Sequence, residues 1–177
     1  MGRLLYLLRD ICQLRRGPQD LPYSPRLLLA VCVASLVLQL AIARVLGIAG
    51  DTLGAGVLSL AFNLGVLFVL LRLRGLSNRF VQAALALLCC AIAFSLLSLP
   101  IALLAGDRPL TPEQMSPLQL LLGLVALPIV IWKLVVDAHI LRHSLGLPFL
   151  AGLTIALLWL VAELALGASF GSAPAAA

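Results

Sequence analysis

Residues 80–104 read FVQAALALLCCAIAFSLLSLPIALL and contain no charged side chain. An α-helix needs about 20 apolar residues to cross the hydrocarbon core of a bilayer, and this stretch is longer than that. Its apolar residues do not alternate with polar residues, as they do in the strands of a membrane β-barrel. Because a helix satisfies its own backbone hydrogen bonds, the stretch predicts a transmembrane helix.

Four further stretches have the same apolar character and are bounded by charged residues, Gly or Pro. Together with the first, they give five predicted spans, at residues 27–48, 52–71, 80–104, 117–136 and 147–168. We therefore predict an all-α integral membrane protein with a bundle of five transmembrane helices over residues 27–168. A cytoplasmic segment, residues 1–26, precedes the bundle, and a flexible tail, residues 169–177, follows it.

The composition of the chain agrees with a membrane protein. Hydrophobic residues make up 63% of the 177 residues and charged residues 11%, whereas about 25% of a soluble domain is charged. These charged side chains are too few to cover the surface of a soluble protein. The composition therefore excludes a soluble enzyme, a disordered chain and a disulfide-stapled secreted domain. The four cysteines include no CxxC pair and are interpreted as packing residues. We expect no metal, no cofactor and no nucleic-acid partner.

Arg and Lys residues collect in alternate segments outside the predicted spans, and cytoplasmic segments are the ones enriched in them. The arginines of the N-terminal segment and of the second and fourth connections are Arg3, Arg9, Arg15, Arg16, Arg26, Arg72, Arg74, Arg79 and Arg142. The first connection has only Asp51, and the third has Asp107, Arg108 and Glu113. This distribution predicts a cytoplasmic N-terminus and an external C-terminus. Because arginines interrupt the first apolar residues, we expect no cleavable signal peptide. The Leu-, Ala- and Arg-rich composition indicates a bacterial inner membrane.

Residues 3–16 are predicted to form a separate amphipathic helix. At 100° per residue, one half of the helix collects apolar side chains and the other half most of the charged ones. The apolar half includes Leu4, Leu7, Leu8 and Ile11, and the charged half includes Arg9 and Arg16. Such a helix is suited to lie in the cytoplasmic interface with its arginines near anionic lipid headgroups, although a helix that docks on a partner has the same pattern. Three prolines in residues 18–25 separate it from the first span.

Four of the polar residues inside the predicted spans are candidates for a pair or pathway within the bundle. An ionisable side chain there costs about 2.5–3.5 kcal/mol. Arg44 and Glu163 lie near the outer ends of the first and fifth spans, and we hypothesise that they pair across neighbouring helices. The alternative is that each reaches the outer interface separately. Gln39 and Asn63 lie near the middle of their spans, where they either hydrogen-bond between helices or line a polar path. We favour the interhelical hydrogen bonds, because no run of polar residues follows one face.

A second polar cluster is predicted at the cytoplasmic end of the fourth span. Lys133 and Asp137 are four residues apart and share a helix face. His139 and His143 have the same spacing, which suits a metal, but no third ligand is placed beside them. We interpret them as solvated interfacial histidines. Since the sequence contains no Ser/His/Asp set, phosphate-binding loop or pair of acids, we expect no enzymatic activity.

Three stretches carry a resemblance to a known family. They are residues 20–25, which read DLPYSP, residues 131–138, which read IWKLVVDA, and the short basic turn of residues 139–146. In these stretches the chain resembles the Yip-domain family of small membrane proteins. The resemblance implies about five spans and a cytoplasmic N-terminus. Eukaryotic members are associated with small GTPases and vesicle traffic, so it also implies a role in interaction rather than catalysis.

Two functions follow from these observations. The first is a non-enzymatic, Yip-domain-like scaffold or assembly partner, which contacts membrane lipids and either another membrane protein or a second copy of the chain. The alternative is a small transporter or ion pathway that uses Arg44 and Glu163. A polar pocket that converges on Glu163 from three or more helices would favour transport. A dry interior of Leu and Ala would favour the scaffold.

Overall fold

A computed structural model describes residues 2–48, 50–106 and 116–171. For residues 2–5 and 168–171 it describes the backbone only. In the described residues the secondary structure is entirely helical. The α-helices are α1 (Gly2–Cys12), α2 (Pro25–Val45), α3 (Thr52–Leu73), α4 (Phe80–Ala105), α5 (Pro117–Leu145) and α6 (Phe149–Gly171). Helices α2 to α6 are long and apolar enough to cross a membrane. The predicted all-α architecture, with five apolar helices of membrane-spanning length, is therefore confirmed for the described residues.

The main difference from the predicted spans lies at the end of α5. This helix continues to Leu145, although the predicted span ends at residue 136. The prediction stopped at the charge of Asp137, but that carboxylate is ion-paired with Lys133 inside the same helix and does not end it. The 29 residues of α5 extend over about 44 Å at 1.5 Å per residue. A hydrocarbon core is only about 30 Å thick, so part of α5 extends beyond it.

Two predicted segments fall wholly or partly outside the described residues. The third connection, with Asp107, Arg108 and Glu113, lies outside them. Residues 172–177 of the predicted flexible tail also lie outside them. Residues 169–171 of that tail are the last residues of α6, so the helix continues three residues past the predicted span.

Local sequence signals explain where the helices begin and end. Ser24 accepts a hydrogen bond from the backbone N–H of Leu27 at the start of α2, and Asp51 caps α3 in the same way. At the start of α5, Ser116 and Gln119 form a reciprocal capping box. Gly146 ends α5 with a φ of 63°, a conformation that glycine adopts without steric cost. These caps satisfy backbone groups that the helix itself leaves free.

Helix α4 is central and packs against α1, α2, α3 and α5. Helices α5 and α6 form an antiparallel hairpin through the three-residue turn 146–148. Their closest approach is at Gly152, where an added Cβ would lie 2.7 Å from the carbonyl oxygen of Ala138. A small residue at this position lets the two backbones approach, as is common in membrane helix pairs.

Side chains connect three segments at one end of the bundle. Arg74 Nη2 donates to the carbonyl oxygen of Leu145 at 3.3 Å, and Arg79 Nη1 donates to that of His143 at 3.2 Å. Gln82 Nε2 donates to the carbonyl oxygen of Leu21 at 2.7 Å. The N-terminal segment and the α3–α4 and α5–α6 connections therefore lie at the same end of the bundle. The alternation of Arg-rich and Arg-poor segments along the sequence predicts this arrangement. Their location in the cytoplasm stays a prediction.

The N-terminal helix α1 is shorter than predicted and packs on the bundle. It ends at Cys12 rather than at residue 16. Leu14, within the predicted helix of residues 3–16, is exposed and has a φ of 61°. Leu7 and Ile11 are buried in a core that includes residues of α4 and α5, and Leu8 packs against the same core. Much of the face predicted to meet lipid or a partner is thus covered by the chain itself, although the side chain of Leu4 lies outside the description.

Hydrogen bonds explain why α1 ends early. Trp132 Nε1 on α5 donates to the carbonyl oxygen of Cys12 at 3.0 Å. His139 Nε2, also on α5, lies 3.0 Å from the carbonyl oxygen of Arg16. These contacts take up carbonyl groups that a longer helix would leave to its own backbone. Arg9 and Arg16 remain exposed, and Arg16 Nε lies 3.1 Å from Asp10 Oδ2.

Candidate functional site

A cavity of about 250 Å³ lies among the five membrane-spanning helices. All five helices contribute to its lining, which combines apolar side chains with polar ones. The polar members and one tryptophan are Ser35, Gln39, Ser59, Asn63, Ser95, Lys133, Asp137, Trp159 and Glu163. The volume is slightly below the roughly 300–1,000 Å³ of pockets for drug-sized ligands, so the cavity suits a small solute or a cluster of waters.

Four of the helices each direct one face toward this cavity. Residues four positions apart lie on the same face of a helix. The pairs with this spacing that line the cavity are Ser35 and Gln39 on α2, Ser59 and Asn63 on α3, Lys133 and Asp137 on α5, and Trp159 and Glu163 on α6. The polar lining is therefore not a run along one helix but is divided among several helices, each of which contributes two of these residues. The repeated spacing is the sequence signal that could have revealed Ser35, Ser59 and Trp159.

The ionisable groups of the cavity come from α5 and α6. Lys133 Nζ lies 2.7 Å from Asp137 Oδ2, and the two side chains keep 33% and 19% of their surface exposed. The carboxylate of Glu163 makes no hydrogen bond or ion pair with any described side chain, but it lies close enough to interact electrostatically with both members of the pair. With all three groups ionised, the cavity has one negative charge in excess.

One wall of the cavity is held by side-chain hydrogen bonds. Trp159 Nε1 donates to Asn63 Oδ1 at 2.8 Å and so joins α6 to α3. Asn63 Nδ2 donates to the carbonyl oxygen of Ser59, also at 2.8 Å. Asn63 therefore makes an interhelical hydrogen bond, the role that the sequence favoured for it. Gln39 instead lines the cavity without a hydrogen bond to a described residue.

The structure does not pair Arg44 with Glu163. Arg44 is exposed, lies outside the cavity and forms no ion pair with the described residues. Arg44 is one residue from the end of α2, whereas Glu163 is eight residues from the end of α6. This difference corresponds to about 10 Å along the helices. Glu163 faces the ionisable groups of α5 instead.

The predicted cluster of Lys133, Asp137, His139 and His143 is divided between two sides of α5. Positions 137 and 139 point in directions about 200° apart on a helix. Lys133 and Asp137 line the cavity, whereas His139 faces the N-terminal segment and is only 7% exposed. The interpretation of His139 as a solvated histidine is therefore wrong. The described part of the chain contains no group of three His, Cys, Asp or Glu residues that could hold a metal.

No protein-family model, curated protein or solved structure matches this chain. The resemblance to the Yip-domain family therefore stays a prediction. The function has to be argued from the cavity and from the packing of the helices that surround it.

Proposed function

We propose that this multi-pass membrane protein is a small transporter that binds a polar solute in the cavity lined by the five helices α2 to α6. The observation that carries the proposal is a polar cavity lined by five helices, with the unpaired carboxylate of Glu163 next to the Lys133–Asp137 ion pair. Ionisable side chains inside a membrane are unfavourable, and where they occur they commonly mark substrate or ion pathways. Transport sites typically lie between helices within the bilayer.

The scaffold hypothesis has less support from the same structure. It depended on an exposed amphipathic arm and on an interior without polar groups. Leu7 and Ile11 of the arm are buried against the bundle, so they are not free to dock on a partner. The interior contains the polar groups of the cavity. Both observations favour the transporter over the Yip-domain-like scaffold.

We also propose a setting for this activity. The N-terminal segment, the basic α3–α4 connection and the basic C-terminal end of α5 face the cytoplasm of a bacterium, because arginine-rich segments stay on that side of the inner membrane. Helix α1 lies at the cytoplasmic interface, where Arg9 and Arg16 are available to lipid headgroups. Trp132, which holds the end of α1, is a residue type that concentrates at that depth.

Cysteine accessibility tests the transport proposal without knowledge of the solute. In a full-length variant that lacks the native cysteines, L160C places a thiol in the cavity wall. The matched control is L158C on the same helix, at a side chain that is 65% exposed and lies outside the cavity lining. A thiol reacts as a thiolate, which requires water. We expect a membrane-impermeant cationic methanethiosulfonate to modify L160C, and not L158C, from each side of the membrane.

The outcome distinguishes the two functions. Modification of L160C from both sides would show that the cavity can be reached from both aqueous phases, as transport requires. If L160C is as unreactive as L158C, the cavity is dry and the transport proposal fails.

A further inference from the structure

We infer that the cavity selects a small organic cation, of the alkylammonium class, over neutral and anionic solutes. This inference rests on the proposed transport function and names its substrate class. The lining contains two carboxylates and one ammonium group, and the ammonium of Lys133 is already 2.7 Å from Asp137. Because Asp137 is paired with Lys133, the carboxylate of Glu163 is the one that can balance the charge of a bound cation.

The rest of the lining favours an organic cation over an inorganic one. A hard metal ion takes about six oxygen ligands, mostly carboxylates and carbonyls, and the described residues contain no group of three His, Cys, Asp or Glu side chains. Most of the lining is apolar, with side chains such as Leu38, Leu64 and Leu160. The alkyl groups of an organic cation gain by burial against these leucines, whereas a small inorganic ion would lose its hydration there without replacement.

Trp159 supplies the second recognition element. It lies four residues before Glu163, so the two side chains are neighbours on one face of α6 and both line the cavity. The hydrogen bond to Asn63 holds the indole in place. A cation close to the face of an indole is attracted by the negative face of its π-system, and the attraction is stronger where water is excluded. One ammonium group can therefore contact the carboxylate and the aromatic ring together.

The cavity already accommodates a group of this class. The side chain of Lys133 is a primary alkylammonium that lies in the lining and binds a carboxylate. The volume of about 250 Å³ leaves room for a further cation with a few carbon atoms. The chemistry proposed for the solute at Glu163 is thus the same as that observed within the protein at Asp137.

Binding of choline to the purified full-length protein in detergent tests the inference. The control ligand is 3,3-dimethylbutan-1-ol, which has the same shape without the charge. We expect calorimetry to show binding of choline and at least about tenfold weaker binding of the alcohol. E163Q is expected to weaken choline binding about tenfold, while E163D, which keeps the charge, restores part of it. D20N, which removes a carboxylate outside the cavity, should have no effect.

The two tryptophans provide a matched pair of variants. W159L is expected to weaken choline binding roughly fivefold through loss of the aromatic ring. W132L alters a tryptophan outside the cavity and should leave binding unchanged. A second measurement leaves Glu163 and Trp159 unchanged: choline, and not the alcohol, should slow the modification of L160C.

Each result has a distinct meaning. Equal affinity for choline and the alcohol, or no binding of choline by the wild-type protein, would overturn the inference. If L160C is still modified from both sides in that case, the transport proposal stands with another substrate class. If L160C is not modified at all, the proposed function itself fails.

Discussion

Asn63 joins α3 to α6 through one side-chain hydrogen bond, which Trp159 donates over 2.8 Å. Replacing either residue removes the same interaction. We expect N63L and W159F each to lower the free energy of unfolding by about 0.6 kcal/mol, the average for such bonds between membrane helices. The double variant should lose less than the sum of the two single losses. Unfolding in detergent measures these values, and strictly additive losses would show that the two side chains do not interact.

Individual polar residues of the site could be found from the sequence, but their grouping could not. Glu163, Lys133 and Asp137 stand out because a charged side chain in an apolar helix is unfavourable. Their assignment to one cavity depends on how each helix is rotated about its axis, and tertiary packing decides this rotation. Ser59 and Trp159 were missed because serine is common inside membranes and tryptophan is common at their surface.

Gly152 controls the contact between α5 and α6. A Cβ at this position would lie 2.7 Å from a backbone oxygen of α5, so the two helices would have to separate. We expect G152A to lower the free energy of unfolding by about 1–3 kcal/mol. G123A is the matched control, because a Cβ there meets nothing within 4 Å. If thermal unfolding shows equal stability for the two variants, the close approach of the helices is wrong.

Docking of α1 on α4 can be tested by a disulfide cross-link. Cys12 Sγ and Cys90 Sγ are 3.5 Å apart, and this hydrogen bond lowers the pKa of the Cys12 thiol, which favours the reactive thiolate. In a C32S/C89S background, we expect copper phenanthroline to link the two cysteines, as peptide mass mapping would show. I11D should reduce the yield, because it places a charge in the contact between the helices. An undiminished yield in I11D would argue against this docking.

The extent of the membrane helices was the most predictable feature of the fold. Four of the five membrane helices begin and end within three residues of the predicted limits, because caps and glycines mark their ends. The exception, α5, was cut short at Asp137 because the sequence does not show whether a charge is neutralised within its own helix. Likewise, α1 was made too long because its end depends on Trp132, a residue distant in sequence.

The five spans predicted for residues 27–168 would place the two ends of the chain on opposite sides of the membrane. We expect alkaline phosphatase fused after residue 177 to be active, because it folds only outside the cytoplasm. The same enzyme fused after residue 76, in the basic α3–α4 connection, should be inactive. A green fluorescent protein fusion at each position is the reciprocal control. Equal phosphatase activity at both positions would contradict the predicted orientation.

The ion pair within α5 bears on how the protein is made. Lys133 and Asp137 are one turn apart in a single helix, so their charges neutralise each other as soon as that segment becomes helical on the ribosome. Glu163 has no such neighbour in the described residues of α6, which is synthesised after α2 to α5. It therefore reaches the bilayer when the other polar groups of the bundle are already inserted. The order of translation therefore lets the carboxylate of Glu163 insert beside the Lys133–Asp137 pair rather than into lipid.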